Sequence, residues 1–215
     1  MLERAVVERS ADLGLLSLEQ SFFARATETV ARDLIGKWLI RESEDGLTAG
    51  VIVETEAYGG PLDLASHARA GKTRRTTPMF GEVGHAYVYL VYGMHECLNV
   101  VAYDNAQAVA GAVLLRALEP VAGVDLMRSR RGQDTGRDGR LCSGPARLCR
   151  AMAVGRSFDG HDLTAGEPLW LAEPPDARRP FEADSGPRIG VDYSGEWAAR
   201  PWRFWIPGHP SVSRR

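Results

Sequence analysis

The sequence predicts an α+β fold: a single domain with a curved, mainly antiparallel sheet (open-barrel-like), flanking helices and a protruding β-hairpin. Three observations predict it. Short runs with strand alternation recur along the chain between clusters of turn residues. Helical spacing of apolar residues is confined to a few stretches. Glycine (23) and proline (12) are about 16% of the 215 residues against a usual ~12%, which favours turns and loops over a helical bundle. Hydrophobic residues at 44% and charged residues at 25% are ordinary for a globular chain, and one of this length can bury a sizeable core without staples. Residues 1–215 read as one domain, with 1–16 a loosely ordered N-terminal segment.

Within residues 18–40, Phe22, Phe23, Val30, Ala31, Leu34 and Ile35 recur near a period of 3.6, and Gly36 supplies a helix stop. Trp38 to Arg41 is a strand and Glu44-Asp45-Gly46 a turn. Val51 to Tyr58 is a second strand. Its alternation puts Ile52, Glu54, Glu56 and Tyr58 on one face, a poor core face that reads as the floor of a cleft. Ser66 to Phe80 is a loop. Ala86 to Tyr92 and His95 to Tyr103 form the hairpin about Gly93-Met94, and a three-residue loop centred on Met94 sets Tyr89 opposite Asn99 and Tyr92 opposite Glu96. A strand over Ala112 to Leu118 leads to a helix in 121–131. Gly132 to Gly139 reads as a variable loop. Leu141 to Ala153 is helical, with Gly144-Pro145 at its start. Short strands follow near Leu169 to Ala172 and Arg188 to Val191, then an aromatic, basic tail after Pro201.

The start Met1-Leu2-Glu3-Arg4 leads into no apolar signal core, and the best apolar run, Ala86 to Val91, is strand length. Cys97, Cys142 and Cys149 cannot all pair with one another. A soluble protein of a reducing cytoplasm is expected, without membrane association and monomeric.

The formal net charge of −2 gives no global argument for a polyanionic partner, but it hides an asymmetry. Arg41 to Asp63 holds six acids and one base. Ser66 to Phe80 carries Arg69, Lys72, Arg74 and Arg75 with no acid, and Arg128 to Arg150 carries seven arginines and two aspartates. An acidic site among basic loops suits a polyanion whose reaction needs a carboxylate, although mixed surface charge reads the same way. Only Lys37 and Lys72 are lysines.

The strings that carry chemistry are Glu54-Thr55-Glu56-Ala57-Tyr58, Ser66-His67, Tyr87 to Met94, Cys97 with Asn99, and Leu114-Leu115-Arg116-Ala117-Leu118-Glu119-Pro120. With Leu148 to Val154 and Gly195-Glu196-Trp197-Ala198, they resemble the alkyladenine (3-methyladenine) DNA glycosylase family from about Leu18 to Ser213. The resemblance implies a monofunctional enzyme of base-excision repair acting on damaged double-stranded DNA. It would flip alkylated or deaminated purines out of the duplex and hydrolyse the N-glycosidic bond with a glutamate-activated water. The class spans 3-methyladenine, 7-methylguanine, hypoxanthine and ethenoadenine.

On that resemblance Glu56 is the catalytic base, Arg116 orients it and the water, and the Ile189 backbone carbonyl gives the water a further contact. Tyr58, His67 and Tyr89 sandwich the extruded base, and Asn99 crowds the exocyclic amine of normal guanine. Tyr92 at the hairpin tip intercalates. Arg69, Lys72, Arg74 and Arg75 are candidate phosphate contacts. Taken singly, Tyr92 is equally an exposed tip aromatic, Tyr89 a buried strand tyrosine, His67 a loop histidine and Asn99 a satisfied structural asparagine. Arg116 is a lone charge in an apolar strand and needs a partner; Glu54 is expected to hold it or neighbouring backbone. Glu96 beside the tip is unexpected so close to phosphate. Neither lysine belongs to the glutamate cluster, so water is preferred to an amine nucleophile. His95 and Cys97 share a strand face, but with no Cys-x-x-Cys or His-Glu-x-x-His, no metal or cofactor is expected.

Overall fold

The computed structural model describes residues 15–132, 140–174 and 181–213. The expected N-terminal segment up to residue 14 and nearly all of the Gly132–Gly139 loop lie outside them. Eight strands make one antiparallel sheet: β1 (Trp38–Ser43), β2 (Gly46–Tyr58), β3 (Ala86–Val91), β4 (His95–Val101), β5 (Ala112–Ala122), β6 (Leu169–Ala172), β7 (Asp184–Gly186) and β8 (Arg203–Trp205). The order β3-β4-β5-β2-β1-β6 curls into an open half-barrel. On the edge away from β5, β2 pairs with β1 over residues 46–51 and with β8 over 54–56.

The helical stretch near the N-terminus is two short helices, α1 (Gln20–Phe23) and α2 (Thr27–Asp33), not one. Arg25 folds back so that its Nε donates to the Phe22 carbonyl at 2.8 Å, satisfying the end of α1 while the backbone turns extended at Ala26. Gly36, at φ 88°, then reverses the chain after α2 as its position predicts. The Thr55 hydroxyl donates to the Ala31 carbonyl at 2.7 Å and ties α2 to β2. Two further helices, α3 (Val124–Arg131) and α4 (Pro145–Ala151), follow β5, with proline in the first turn of α4. The core runs from Phe23, Leu34 and Leu39 through Ile52, Leu98 and Leu115 to Leu148 and Phe204. A smaller cluster around Trp38, Ile40 and Trp170 covers β1, β2 and β6 elsewhere.

Three strand expectations need correction. The Arg188–Val191 strand is not formed; the strand there is β7, and the backbone at 189 is used differently. β8 in the aromatic tail was not anticipated. The face of Ile52, Glu54 and Glu56 is not an open cleft floor, because each of these side chains is fully buried. The reason is that β5 and β8 flank β2 in the sheet and bring Arg116 and Arg203 onto the carboxylates, with the chain end at Ser213. Among the described residues, no helix is long and apolar enough to cross a membrane.

Candidate active site

Two bulges aim the central charges. Ile52 pairs with Leu118 and Glu54 with Ala117, leaving Val53 as an extra residue on β2; Thr55 then pairs with Leu115, leaving Arg116 extra on β5. Such insertions re-aim side chains and break strict alternation. Here they bring the Arg116 guanidinium between two carboxylates, with Nε 3.1 Å from Glu54 Oε1 and Nη1 3.1 Å from Glu56 Oε2. Burial alone would lower the Arg116 pKa; the charges of Glu56 and Glu54 outweigh it and the pKa is raised.

The two glutamates are bonded differently. Glu54 receives four donors: Arg116 Nε at 3.1 Å, Arg203 Nε at 2.7 Å, the Ser213 hydroxyl at 2.9 Å and the Ser213 amide at 2.7 Å. Three of these fall on Oε1 and one on Oε2, so Glu54 is held from the side of Arg116, Arg203 and the chain end. Glu56 receives three: the Ile189 amide on Oε1 at 2.7 Å, and on Oε2 the Tyr58 hydroxyl at 2.7 Å and Arg116 Nη1 at 3.1 Å. One acceptor position on Glu56 Oε1 stays unused among the described residues. Burial, and then the charge of Glu56, push the Tyr58 hydroxyl well above its ordinary pKa, so it stays a donor to Oε2.

The Ile189 amide is held by its neighbour. The Arg188 side chain is fully buried and forks onto Asp63, Nη1 to Oδ2 at 2.6 Å and Nη2 to Oδ1 at 3.0 Å. Asp63 also accepts from the amides of Gly59 at 2.9 Å and Ala65 at 3.0 Å, shaping the turn that leads to His67. The guanidinium lies 4.9 Å from the Tyr58 ring centroid and 5.2 Å from that of Trp202. One ion pair thus ties together Tyr58, the loop before His67 and the segment that bonds Glu56.

Beside this cluster, Tyr58, His67, Met79, Tyr87, Tyr89, Asn99, Ala65 and Tyr193 line a small cavity of about 60 Å³. The rings of His67 and Tyr89 meet nearly perpendicular, with centroids 4.6 Å apart. All four expected pocket residues are therefore brought together, in a register two residues away from the expected one. Tyr87 pairs with Asn99 and Tyr89 with Cys97, because the turn is centred on Gly93. Side chains alternate with a period of two, so that shift keeps Tyr89 and Asn99 on one face. The Asn99 amide donates to the Tyr87 carbonyl at 2.9 Å and is fixed by it. Burial first, then the positive charges of Arg75 and Arg69, lower the His67 pKa to about 4, so its imidazole is neutral at neutral pH. Its Nε2 faces an Arg75 donor at 3.4 Å, which leaves Nδ1 to donate to the Tyr87 hydroxyl at 3.0 Å.

At the hairpin tip the Met94 amide donates to the Val91 carbonyl at 3.2 Å, enclosing Tyr92 and Gly93 at φ 51° and 71°. Two positive φ values in succession mark a primed turn, which suits glycine and is uncommon for tyrosine. It leaves Tyr92 90% exposed. Glu96 lies opposite Leu90, not Tyr92, again because the turn is one residue earlier than expected.

In the basic loop, Arg69, Lys72, Arg74 and Arg75 are all exposed. Arg69 donates to the Leu64 carbonyl at 2.6 Å and lies over Tyr193, whereas Arg75 turns toward Tyr89 and His67. A second basic surface is an open groove of about 550 Å³ lined by Arg140, Arg147, Ser143 and Ser213, with Arg116 among its lining. The glutamate cluster is thus bordered by the aromatic cavity through Tyr58 and by a basic groove through Arg116. Lys37 is away from both, bonded to Glu173 at 2.5 Å. Among the described residues, no three His, Cys, Asp or Glu side chains are grouped to hold a metal ion.

Sequence reasoning gave no role to Asp63, Arg188, Arg203, Ser213 or Tyr87. Tyr87 had a signal, since it shares a strand face with Tyr89. Arg188 carried the same mark as Arg116, a charge beside apolar residues that demands a partner. The partners of Arg203 and Ser213 come from the far end of the chain, and no local pattern points to them.

The methylpurine-DNA glycosylase family model matches residues 21–210. A protein of Methanocella arvoryzae, named provisionally as a 3-methyladenine DNA glycosylase, is 46% identical over 198 residues, covering 92% of this chain and 96% of its own. The DNA-3-methyladenine glycosylase of Mus musculus is 44% identical over 206 residues, which is 91% of this chain and 61% of the mouse protein. That of Homo sapiens is 41% identical over 208 residues, 93% of this chain and 68% of its own.

Proposed function

The chain belongs to the methylpurine-DNA glycosylase family, and on that premise we propose that it is a monofunctional glycosylase that flips damaged purines out of duplex DNA and releases them by hydrolysis, leaving an abasic site. The coarse activity follows from the family: hydrolysis of N-glycosyl bonds in DNA, as a step of base-excision repair. The finer reading rests on the chemistry of the site.

A base inside the duplex is out of reach, so it must leave the stack and something must fill the gap. Tyr92 on its exposed primed turn is the proposed wedge. The flipped purine enters the cavity of Tyr58, His67, Tyr89 and Asn99, where each stacked ring contributes ~1–3 kcal/mol and ring faces further attract a cationic methylated base. A neutral His67 does not repel such a cation. Lys72 and Arg74, exposed and without a partner among the described residues, are proposed phosphate contacts, with Arg69 beside them.

As the glycosidic bond lengthens, positive charge builds on the sugar. Water adds its oxygen to the anomeric carbon and yields a proton to Glu56, while the purine departs with the bonding electron pair. A cationic methylated purine leaves neutral; hypoxanthine and ethenoadenine must gain a proton as they go. Arg116 and the Ile189 amide hold the carboxylate in place, and the Ile189 carbonyl is the proposed second acceptor for the water. The observation that carries this assignment is that Glu56, with one donor fewer than Glu54, shares the hydroxyl of the cavity-lining Tyr58, whereas Glu54 is bonded by Arg116, Arg203 and Ser213. Lys37 is paired to Glu173 and Lys72 is exposed in the basic loop, and neither bonds the glutamate cluster, which favours water over a Schiff base.

The test is a release assay on duplexes that each carry one 3-methyladenine, 7-methylguanine, hypoxanthine or ethenoadenine. Free base with an intact strand is expected from at least one, in the presence of chelator. No release from any of the four would remove the proposal. For the wedge, Tyr92→Ala should weaken binding to a lesion duplex about tenfold, the scale of one lost stacking contact, with little change on undamaged duplex. Equal losses on both would count against it.

A further inference from the structure

Arg75 differs from its neighbours in the basic loop. Its guanidinium carbon lies 5.5 Å from the centroid of the Tyr89 ring, and Nη2 is 3.4 Å from His67 Nε2. The backbone beneath it is fixed: Thr73 and Thr76 exchange hydrogen bonds, the Thr76 hydroxyl reaches the Gly71 carbonyl at 2.8 Å, and the Thr77 hydroxyl reaches that of Thr73 at 2.7 Å. The side chain itself is largely exposed. Arg75 is therefore a long, exposed arm on a stiff base, with its flat cation set against two walls of the aromatic cavity.

A planar cation over a tyrosine, with an edge N–H aimed at a neutral imidazole, presents the same features as an N-methylated purine. We propose that Arg75 is a specificity-determining residue that occupies the mouth of the empty cavity as a surrogate base, so that a purine enters only by displacing it. This rests on the reading of the cavity as the base pocket. An incoming base must replace the ring contact with Tyr89 and the donor to His67 Nε2 before it gains anything further. A methylated purine, cationic while it is joined to the sugar, replaces the first with its own charge, and the released neutral base replaces it by stacking. An undamaged purine held by weaker stacking is at a disadvantage, because Arg75 competes for the same two partners.

The experiment measures binding of free 3-methyladenine to the whole protein by titration calorimetry, for wild type, Arg75→Ala and Arg75→Lys. The His67 ring resonances are followed in parallel across pH. Arg75→Ala should bind the free base about tenfold more tightly, since a cation–ring contact and a hydrogen bond no longer compete. Its His67 midpoint should rise from about 4 toward the ordinary value, because a nearby positive charge is gone. Arg75→Lys keeps charge for phosphate but has no flat fork. It should gain free-base affinity while holding undamaged duplex as wild type does. Unchanged or weaker base binding by Arg75→Ala, with or without loss of duplex affinity, overturns the proposal, since Arg75 would then be only a phosphate contact or a direct base contact. Both readouts are taken without catalysis. A wild type that binds free base but releases none from lesion duplexes would sink the hydrolytic reading and leave this one standing.

Discussion

Glu56→Gln is expected to lower base release by about 10²- to 10⁴-fold, the range of a positioned general base, while lesion-duplex affinity stays within about threefold of wild type. Glutamine keeps the shape of the side chain but loses the charge and one acceptor. It has no way to take a proton from water at neutral pH. Arg116 keeps its bond to Glu54, so the cluster stays paired and the fold should survive. Tyr58 and the rest of the cavity do not depend on the charge of Glu56 for their packing, so the base should still be held. Single-turnover release on a lesion duplex, set against equilibrium binding to the same duplex, separates the two effects. Turnover near wild type would remove Glu56 as the base. Lost binding together with lost release would mean that the substitution disturbed the pocket, and the chemical assignment would fall with it.

The burial of Glu56 gives this prediction its edge. A carboxylate with no solvent exposure, held by three donors, is normally structural. What distinguishes it from Glu54 is one donor fewer, with room for a further one on Oε1, and contact with the hydroxyl of a cavity-lining ring. If that position has no role with DNA bound, the glutamine variant will say so.

The strands and the hairpin were legible in the sequence because alternation and turn residues are local signals. The wrong register of that hairpin shows the limit. A turn centred on Gly93 rather than Met94 requires Tyr92 itself to take a positive φ, which a tyrosine rarely does. The pocket survived the error because side chains alternate by two. The cleft-floor reading of Glu54 and Glu56 failed for a different reason. Two bulges at Val53 and Arg116 and a chain end returning over β2 cover a face that alternation alone leaves open. The need of Arg116 for a partner was readable from its apolar strand, and Glu54 does hold it. The Asp63–Arg188 pair spans 125 positions, and Arg203 reaches Glu54 across 149, so neither partner is visible in a local window. Roles for Glu56 and Tyr92 rest on family resemblance, whereas that of the basic loop rests on its run of four positive charges without an acid.

Glu54→Gln is expected to cost about 3–5 kcal/mol of stability, the usual penalty for leaving a buried charge without its partner. For a chain of this size that lowers the melting temperature by on the order of 10 °C. The variant strips the negative charge that faces Arg203, itself buried, and turns an amide donor toward groups that are all donors. Ser213 loses one of its two acceptors, so the chain end that closes over β2 should loosen as well. Removing the orphaned cation should recover part of the loss: the double variant Glu54→Gln with Arg203→Met should be more stable than Glu54→Gln alone, since replacing both members of a buried pair is far cheaper than removing one. Thermal unfolding of the four proteins in this cycle measures the coupling directly. Base release by the variants, corrected for the folded fraction, should fall much less than for Glu56→Gln. If Glu54→Gln instead abolishes release with an unchanged melting temperature, the two glutamates have exchanged roles, and the count of donors on each carboxylate is the wrong guide to which one meets the water.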